Sequence, residues 1–487
     1  GNHDLGDKLS EVAPAKAAND TTISIYKEAF GENYYSFDHA GILFVVMNSS
    51  LVNGGTEEEK RQRSWLENLL RKNKGKRIFL FSHYPPFICQ EFESEHYDNY
   101  AEPGRHWLLD LAVFANVEAI ISGHVHHFFL NEHKGIKLYC LPATSFTRQD
   151  FSVIFRGLPT NEFGRDDTGK FGVTIFNVTE NGHEFKWIPT HGKEAINDKK
   201  SQEEKNKPLL QIPNLIPSLR HDWCQSTTMP ANGPMEEFTR KVTRNDYPIL
   251  RLKQLGVKKV RVPLVDFLDP VSAARIHLLG GFGIKAVVFF SGNISKKDFK
   301  TLTNMNENIH AIEVISRDIP LSILEMLRDA DWPVWYSKIS TSANQSDDTK
   351  PFNISVSTGC MADEIRDLSS NLAEISPRKE LRLMVQCPWQ GDNMVSSIQE
   401  IVNDWNYIKN DVVELAINVR LAPSNPAKEN VDSSAMAQTI RGVQSIAENN
   451  PNVEFILDTF EAFDRGYHPR LGLIDTLSNI SDWYPQQ

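Results

Sequence analysis

The sequence predicts an α/β protein of two domains, and three observations carry that expectation. From Gly256 onward, short apolar strands alternate with amphipathic helices, and eight such strands fall in about 230 residues, the pattern of a (β/α)8 barrel. Upstream, the apolar runs Ile42–Met47 and Phe79–Phe81 flank a helical stretch, again strand, helix, strand. Between the two regions, residues 191–208 read HGKEAINDKKSQEEKNKP, a charged segment with almost no apolar side chains, which is the composition of a linker. The expected division is residues 1–190, a charged and Pro-rich linker over 191–248, and the barrel over 249–487.

In the first domain, residues 34–50 read as a hairpin. Tyr35 and Phe37 alternate with polar neighbours, Asp38–Gly41 turn, and Ile42–Met47 form a buried run. Thr56 to Asn73 reads as an amphipathic helix. Thr56 is its N-cap, and Glu57, Glu58 and Glu59 make an acidic first turn. Trp65, Leu66, Leu69 and Leu70 form its apolar face, and Arg71, Lys72 and Lys74 sit at its C-terminal end. An apolar strand then runs into His83 and is stopped by Pro85 and Pro86. Residues 88–104 form a polar and aromatic loop with His96, Tyr97 and Tyr100. Glu118–Ser122 leads as a strand into Gly123-His124-Val125-His126, where the glycine permits a sharp turn. Lys137–Leu141 and Phe171–Val178 are expected as the closing strands of a second sheet.

Two imidazoles at i and i+2 on a tight loop can converge on one metal ion or on two neighbouring ones. Neutral imidazole is a common ligand for first-row metals. An isolated His-x-His is more often a pair of solvated loop residues. Here two further blocks accompany it: Gly1-Asn2-His3-Asp4 and Ser82-His83-Tyr84-Pro85-Pro86. In order and type, GNHD, SHYPP and GHVH resemble the motifs of the calcineurin-like metallophosphoesterases, over roughly residues 1–190.

That resemblance implies an α/β sandwich that hydrolyses a phosphomonoester or phosphodiester through a hydroxide held by two metal ions. It implies that Asn2, His83 and His124 ligate one ion and His126 the second. His3 would face the phosphate as a proton donor or charge stabiliser, and Asp4 would orient the His3 ring. Mixed nitrogen and oxygen donors suit Fe, Mn or Zn. His96 and Tyr97, on a loop of the kind that roofs such sites, and Arg148, just past a strand end, are candidate substrate contacts; the alternative is surface residues without a ligand. The family's D-x-H and GD-x-x-D blocks, which carry further ligands and the bridging Asp, are not found in this sequence. The expectation is that they precede Gly1 in a longer protein, and that this chain alone hydrolyses little or nothing.

The expected barrel strands are Lys259–Pro263, Ile284–Phe290, Ile309–Ile315, Pro333–Ile339, Phe352–Val356, Leu381–Gln386, Val412–Val419 and Val453–Thr459. Helices fit between them, among others Asp269–Leu279, Leu321–Asp329, Asp363–Ile375 and Ser433–Glu448. An open doubly wound sheet would carry a glycine fingerprint that is not seen here. Barrels bind ligands at the C-terminal ends of their strands. That places Asp266, Lys338, Gln386, Asn418, Arg420 and Asp458 around the mouth, with Trp389 able to stack on a ligand ring. A sugar or another polar small ligand could occupy the mouth; the alternative is an accessory, non-catalytic barrel. A barrel glycosidase needs carboxylates at the ends of strands four and seven, and these end near Lys338 and at Asn418 and Arg420. The alternative to an enzyme is a glycan- or small-ligand-binding barrel protein with an incomplete, inactive phosphoesterase domain.

A formal charge of -11 disfavours non-specific nucleic-acid binding. No run approaches the roughly 18 apolar residues of a membrane span. The five cysteines are scattered without a C-x-x-C, which argues against a disulfide framework or a zinc knuckle. That usage favours the cytoplasm, and a secreted or periplasmic location stays open.

Overall fold

Six strands build the first sheet: β1 (Tyr35–His39), β2 (Ile42–Val46), β3 (Arg77–Ser82), β4 (Ala119–Ser122), β5 (Phe129–His133) and β6 (Ile136–Cys140), in the order β1-β2-β3-β4-β6-β5. The structure, a computed structural model, describes residues 1–155, 157–190, 211–229, 241–328, 330–341, 356–375, 381–389, 391–408, 413–421, 433–462 and 471–481. The chain divides into two units, Gly1–Lys199 with Ser226–Tyr247, and Lys200–Gln225 with Pro248–Gln487.

In the first unit β1–β2 and β5–β6 are antiparallel hairpins, whereas β2, β3, β4 and β6 run parallel. Parallel neighbours need crossovers, and the helices Glu57–Lys72 and Gly104–Phe114 supply two of them. The first helix starts at its expected cap, where Thr56 Oγ1 accepts from Glu59 N at 3.2 Å. The second has no counterpart among the expected elements. Leu43, Val45, Ile78, Leu80 and Ile120 of the sheet pack on Leu66, Leu70, Leu108 and Ala112 of these helices. Of the two strands expected to close a second sheet, the first is β6 and lies in this sheet, paired with β4; its Tyr139 packs its ring on Phe176 and Phe185 of the separate antiparallel hairpin β7 (Gly172–Thr179) and β8 (Gly182–Pro189). This layering is the α/β sandwich that the motif blocks imply.

The residues expected as linker divide between the units. The hairpin β10 (Ser226–Thr228) and β11 (Val242–Arg244) belongs to the first. Arg244 supplies the reason. Its buried guanidinium donates to Asp246, to the carbonyls of Cys89 and Leu130, and to Asn131 Oδ1. Asp246 in turn accepts from Leu130 N at 2.9 Å.

The second unit is a near-closed barrel of eight parallel strands: β9 (Leu215–Pro217), β12 (Lys259–Pro263), β13 (Lys285–Ser291), β14 (Ile309–Ser316), β15 (Val334–Thr341), β17 (Leu381–Cys387), β18 (Val413–Arg420) and β19 (Glu454–Asp458). β9 pairs with β19, and a Ser218–Arg261 bridge, with Leu219 N donating to Arg261 O at 2.8 Å, brings it back to β12. One expected strand is replaced. Residues 352–355 lie outside the described residues, and β16 (Val356–Thr358) pairs antiparallel with β15, off the ring. The ring position is filled by Leu215–Pro217, three residues in a proline-spotted stretch that shows no strand periodicity.

With Leu215–Pro217 counted first, the fourth strand becomes β14 and carries Glu313. That carboxylate lies inside the barrel, where it accepts from Arg261 Nε at 2.5 Å and Nη2 at 3.0 Å. The fourth and seventh strands therefore still offer no facing carboxylate pair. Ile216, Val287, Ala311, Trp335, Met384, Ala416 and Ile456 form the apolar layer of the core. Among the described residues, no helix is long and apolar enough to cross a membrane, and the five cysteines are buried and free.

Removing one partner of a buried ion pair costs more than removing both. Glu313→Leu is expected to destabilise the barrel by about 3–5 kcal/mol, and adding Arg261→Met should recover part of the loss. Urea unfolding followed by tryptophan fluorescence checks this. A double variant no more stable than Glu313→Leu alone would contradict it.

Candidate metal centre

β3 and β4 are parallel neighbours, with Ser82 opposite Ser122. Their next residues, His83 and Gly123, therefore leave the sheet at the same edge, and Gly123 N donates to His83 O at 3.0 Å. The sharp turn after β4 is carried by the histidines rather than by the glycine. His124 and His126 adopt left-handed backbone, φ 66° and 58°, whereas Gly123 has no positive φ. Such backbone is uncommon for non-glycine residues and persists where the surroundings hold it. Asn2 enters on a short helical turn, Asn2–Leu5. Here glycine matters: a Cβ on Gly1 would come within 2.7 Å of the His83 ring.

The result is a convergence. His83 Nε2 stands 2.8 Å from Asn2 Oδ1 and 3.2 Å from His124 Nδ1. His126 sits two residues on, its ring edge against Phe146 and its Nδ1 buried with no hydrogen-bond partner. Burial, reinforced by neighbouring positive charge, lowers the pKa of His83 to about 3 and of His126 to about 4; burial also lowers that of His124. All three rings are thus neutral at pH 7 and keep a lone pair. His3 is exposed, near enough to His83 and His126 for their charges to interact. Asp4 pairs with the Gly1 amino group at 2.6 Å, and no hydrogen bond joins it to His3.

Residues around the cluster hold it. Asn2 Nδ2 donates to Asp7 Oδ1 at 2.6 Å and to the Tyr97 hydroxyl at 2.9 Å, which leaves Asn2 Oδ1 facing His83. The Tyr97 ring stands edge-on to His124. His96 does not face the donors. It is buried, with Nε2 3.3 Å from Glu93 and Nδ1 accepting from Asp98 N, so it folds its own loop. Lys8 pins that loop by donating to the carbonyls of His96 and Asn99.

Asp98 is fully buried, with one oxygen 3.5 Å from His124 Nε2, and it pairs with Arg148 and Lys241. Burial opposes its ionisation, but Arg148 and Lys241 overturn that and hold its pKa well below the ordinary value. Arg148 also pairs with Asp150 at 2.8 Å, so its guanidinium is turned to two aspartates. Asp7, Asp98 and Lys241 escape sequence reasoning. Only the polar, aromatic texture of residues 88–104 hints at Asp98, and Lys241 lies 143 positions from it. In the barrel, Lys338, Gln386, Asn418, Arg420 and Asp458 lie towards the C-terminal ends of their strands, while Asp266 is buried and accepts from Trp223 Nε1.

These three blocks bring an amide oxygen and two imidazoles to one point at the edge of a parallel sheet, and their likeness to the calcineurin-like phosphoesterases is matched over the N-terminal residues. The family model described as calcineurin-like phosphoesterase matches residues 1–128. The chain is 27% identical over 216 residues to serine/threonine-protein phosphatase CPPED1 of Danio rerio, covering 43% of this chain and 60% of that protein. It is 28% identical over 132 residues to the Mus musculus CPPED1, covering 26% and 39%. The chain thus spans less than two thirds of either relative. Among solved structures, purple acid phosphatase PPD1 from yellow lupin seeds overlaps at a TM-score of 0.21 and 18% identity, over 29% of each chain, too little to argue from.

His127, next to the motif, is fully buried among Phe151, Phe155 and Tyr247, and its Nε2–H donates to Arg148 O. Burial lowers its pKa to about 4. The unfolded value is near 6.5, so this contribution to stability is whole above about pH 6.5 and is lost as pH falls toward 4, by roughly 3 kcal/mol. His127→Gln should flatten the stability profile over that window. Parallel profiles of the variant and the wild-type protein would exclude the assignment.

Proposed function

We propose that the first unit is a metal-dependent phosphoesterase acting on a phosphomonoester or phosphodiester, with Asn2, His83 and His124 holding one ion and His126 a second. The observation that carries this reading is the convergence of Asn2 Oδ1, His83 Nε2 and His124 Nδ1, at 2.8 and 3.2 Å, beside the unpartnered His126 Nδ1. The donors are neutral nitrogens and an amide oxygen, a set that fits Fe, Mn or Zn. When bound, such ions supply Lewis acidity that polarises a phosphoryl group and acidifies a water. The zebrafish and mouse relatives are named serine/threonine-protein phosphatases, which puts a phosphomonoester first among substrates.

The chain's own side chains bind and orient. Asp7 and Tyr97 hold the Asn2 amide so that its oxygen faces the cluster. Asp98, facing His124 Nε2, favours the tautomer that leaves the Nδ1 lone pair toward His83. His3, exposed beside the cluster, offers a proton to the leaving oxygen or stabilises the phosphoryl charge.

Isothermal titration of the full chain with Mn²⁺ or Zn²⁺ tests this. Binding is expected, and His83→Ala or His124→Ala should remove it. Asp98→Leu should weaken it by about tenfold or more. Hydrolysis of p-nitrophenyl phosphate is a separate readout. The four proposed ligands are all neutral, so two dications would gain little mutual screening from them, and turnover by this chain is expected to be low. Metal affinity unchanged in both histidine variants would refute the ligand set.

A further inference from the structure

We propose that the barrel mouth is a carbohydrate site, in which Asn418, Arg420 and Asp458 hydrogen-bond to sugar hydroxyls. Register decides which side chains face inward. Ala416 and Ile456 belong to the apolar interior layer. Asn418 lies opposite Ile456, and Arg420 opposite Asp458, so these residues share the interior face and step toward the strands' C-terminal ends. One pleat beyond Ala311, Trp335 and Met384 stand Glu313, Ser337 and Gln386. The barrel is therefore apolar at its middle and polar at its mouth.

Part of this polar layer satisfies itself. Glu313 takes two bonds from Arg261 and one from the Ser337 hydroxyl, and Lys338 pairs with Glu364. Gln386 Nε2 meets Met361 Sδ at 3.0 Å. Asn418 is different. It is 3% exposed, and its Nδ2 donates to Thr358 O and Oγ1 at 3.3 and 3.2 Å, but its Oδ1 is buried without a hydrogen-bond partner. An orphaned buried acceptor costs on the order of 1–3 kcal/mol, so the position favours a donor brought from outside the chain. On the next step toward the mouth, Arg420 Nε and Asp458 Oδ2 are 3.5 Å apart, and their side chains keep 17% and 18% exposure. That spacing is too long for a strong hydrogen bond and leaves both groups capacity for a ligand. Arg220 Nη2 lies 3.9 Å from the same carboxylate.

The entering group must donate to Asn418 Oδ1 and Asp458 and accept from Arg420. Vicinal hydroxyls do both at each oxygen. Inorganic phosphate has few protons to give at neutral pH and would be repelled by Asp458. Trp389, two residues past the end of β17 and partly exposed, offers a flat apolar face to the C–H side of a sugar ring. Glu313 is held by Arg261 and Glu364 by Lys338, and the fourth and seventh strands carry no facing carboxylate pair, so the site is built for binding rather than glycoside hydrolysis.

The test is calorimetric titration of the full chain with D-glucose, D-galactose, D-mannose and N-acetyl-D-glucosamine, each to about 50 mM, alongside glucose 6-phosphate and inorganic phosphate. At least one sugar, free or phosphorylated, should bind. Asn418→Leu and, independently, Asp458→Asn should each weaken that binding by about tenfold or more. If Asn418→Leu fails to fold, Asp458→Asn alone decides. Binding of inorganic phosphate as tight as that of any sugar, no binding by any sugar, or affinity unchanged in Asp458→Asn would overturn the proposal.

Discussion

The first unit depends on the in-register parallel pairing of β3 with β4. Setting Ser82 opposite Ser122 makes two loops, distant in sequence, leave one edge of the sheet side by side. A slip of one residue would turn His83 and His124 to opposite faces of their strands' continuation and separate their nitrogens. The register is itself held by the apolar alternation of Ile78, Leu80 and Ile120 against the crossover helices. Core packing and the chemistry of the edge are therefore one constraint, in which the buried side fixes the side that can act.

Much of this was legible locally. The helix over Glu57–Lys72 announced its cap, its charge gradient and its apolar stripe within its own residues. The three histidine-bearing blocks pointed to the calcineurin-like phosphoesterase family, whose model matches residues 1–128, because few contexts combine glycine, an amide and imidazoles in that order. What stayed hidden was non-local or too short. Leu215–Pro217 has three residues and a proline, and only its neighbours β19 and β12 make it a strand. Asp98 and Lys241 meet across 143 positions, a pairing that neither neighbourhood advertises. The sequence offers Gly123 for the turn at GHVH, yet the left-handed backbone falls on His124 and His126 because the tertiary setting, not local preference, decides it. Arg148 reads, from the sequence, as a substrate contact or a surface residue just past a strand end. Two aspartates, one of them far away in sequence, claim it.

The two units use buried charge in different ways. In the first, Asp98 gathers Arg148, Lys241 and the far side of His124, so a carboxylate with two cations becomes a rigid backing for that ring. In the second, Arg261 and Glu313 close on each other inside the barrel and leave the outer step, Asn418 with Arg420 and Asp458, less completely paired. Full satisfaction gives the core a unique arrangement, whereas incomplete satisfaction marks where a ligand can add something.

The path of the chain between the units has a further consequence. It finishes most of the sandwich, lays down the first barrel strand at Leu215–Pro217, returns to the sandwich for the hairpin that carries Lys241 and Arg244, and only then builds the rest of the barrel. On the ribosome, the first barrel strand must wait for β19, more than two hundred residues later, before it gains the neighbour on that side. In evolutionary terms, neither unit is a bead that recombination could lift out with a single cut on each side. A gene fragment ending at the apparent linker would lose the Lys241 support of Asp98, so the two units are bound to travel, and to vary, together.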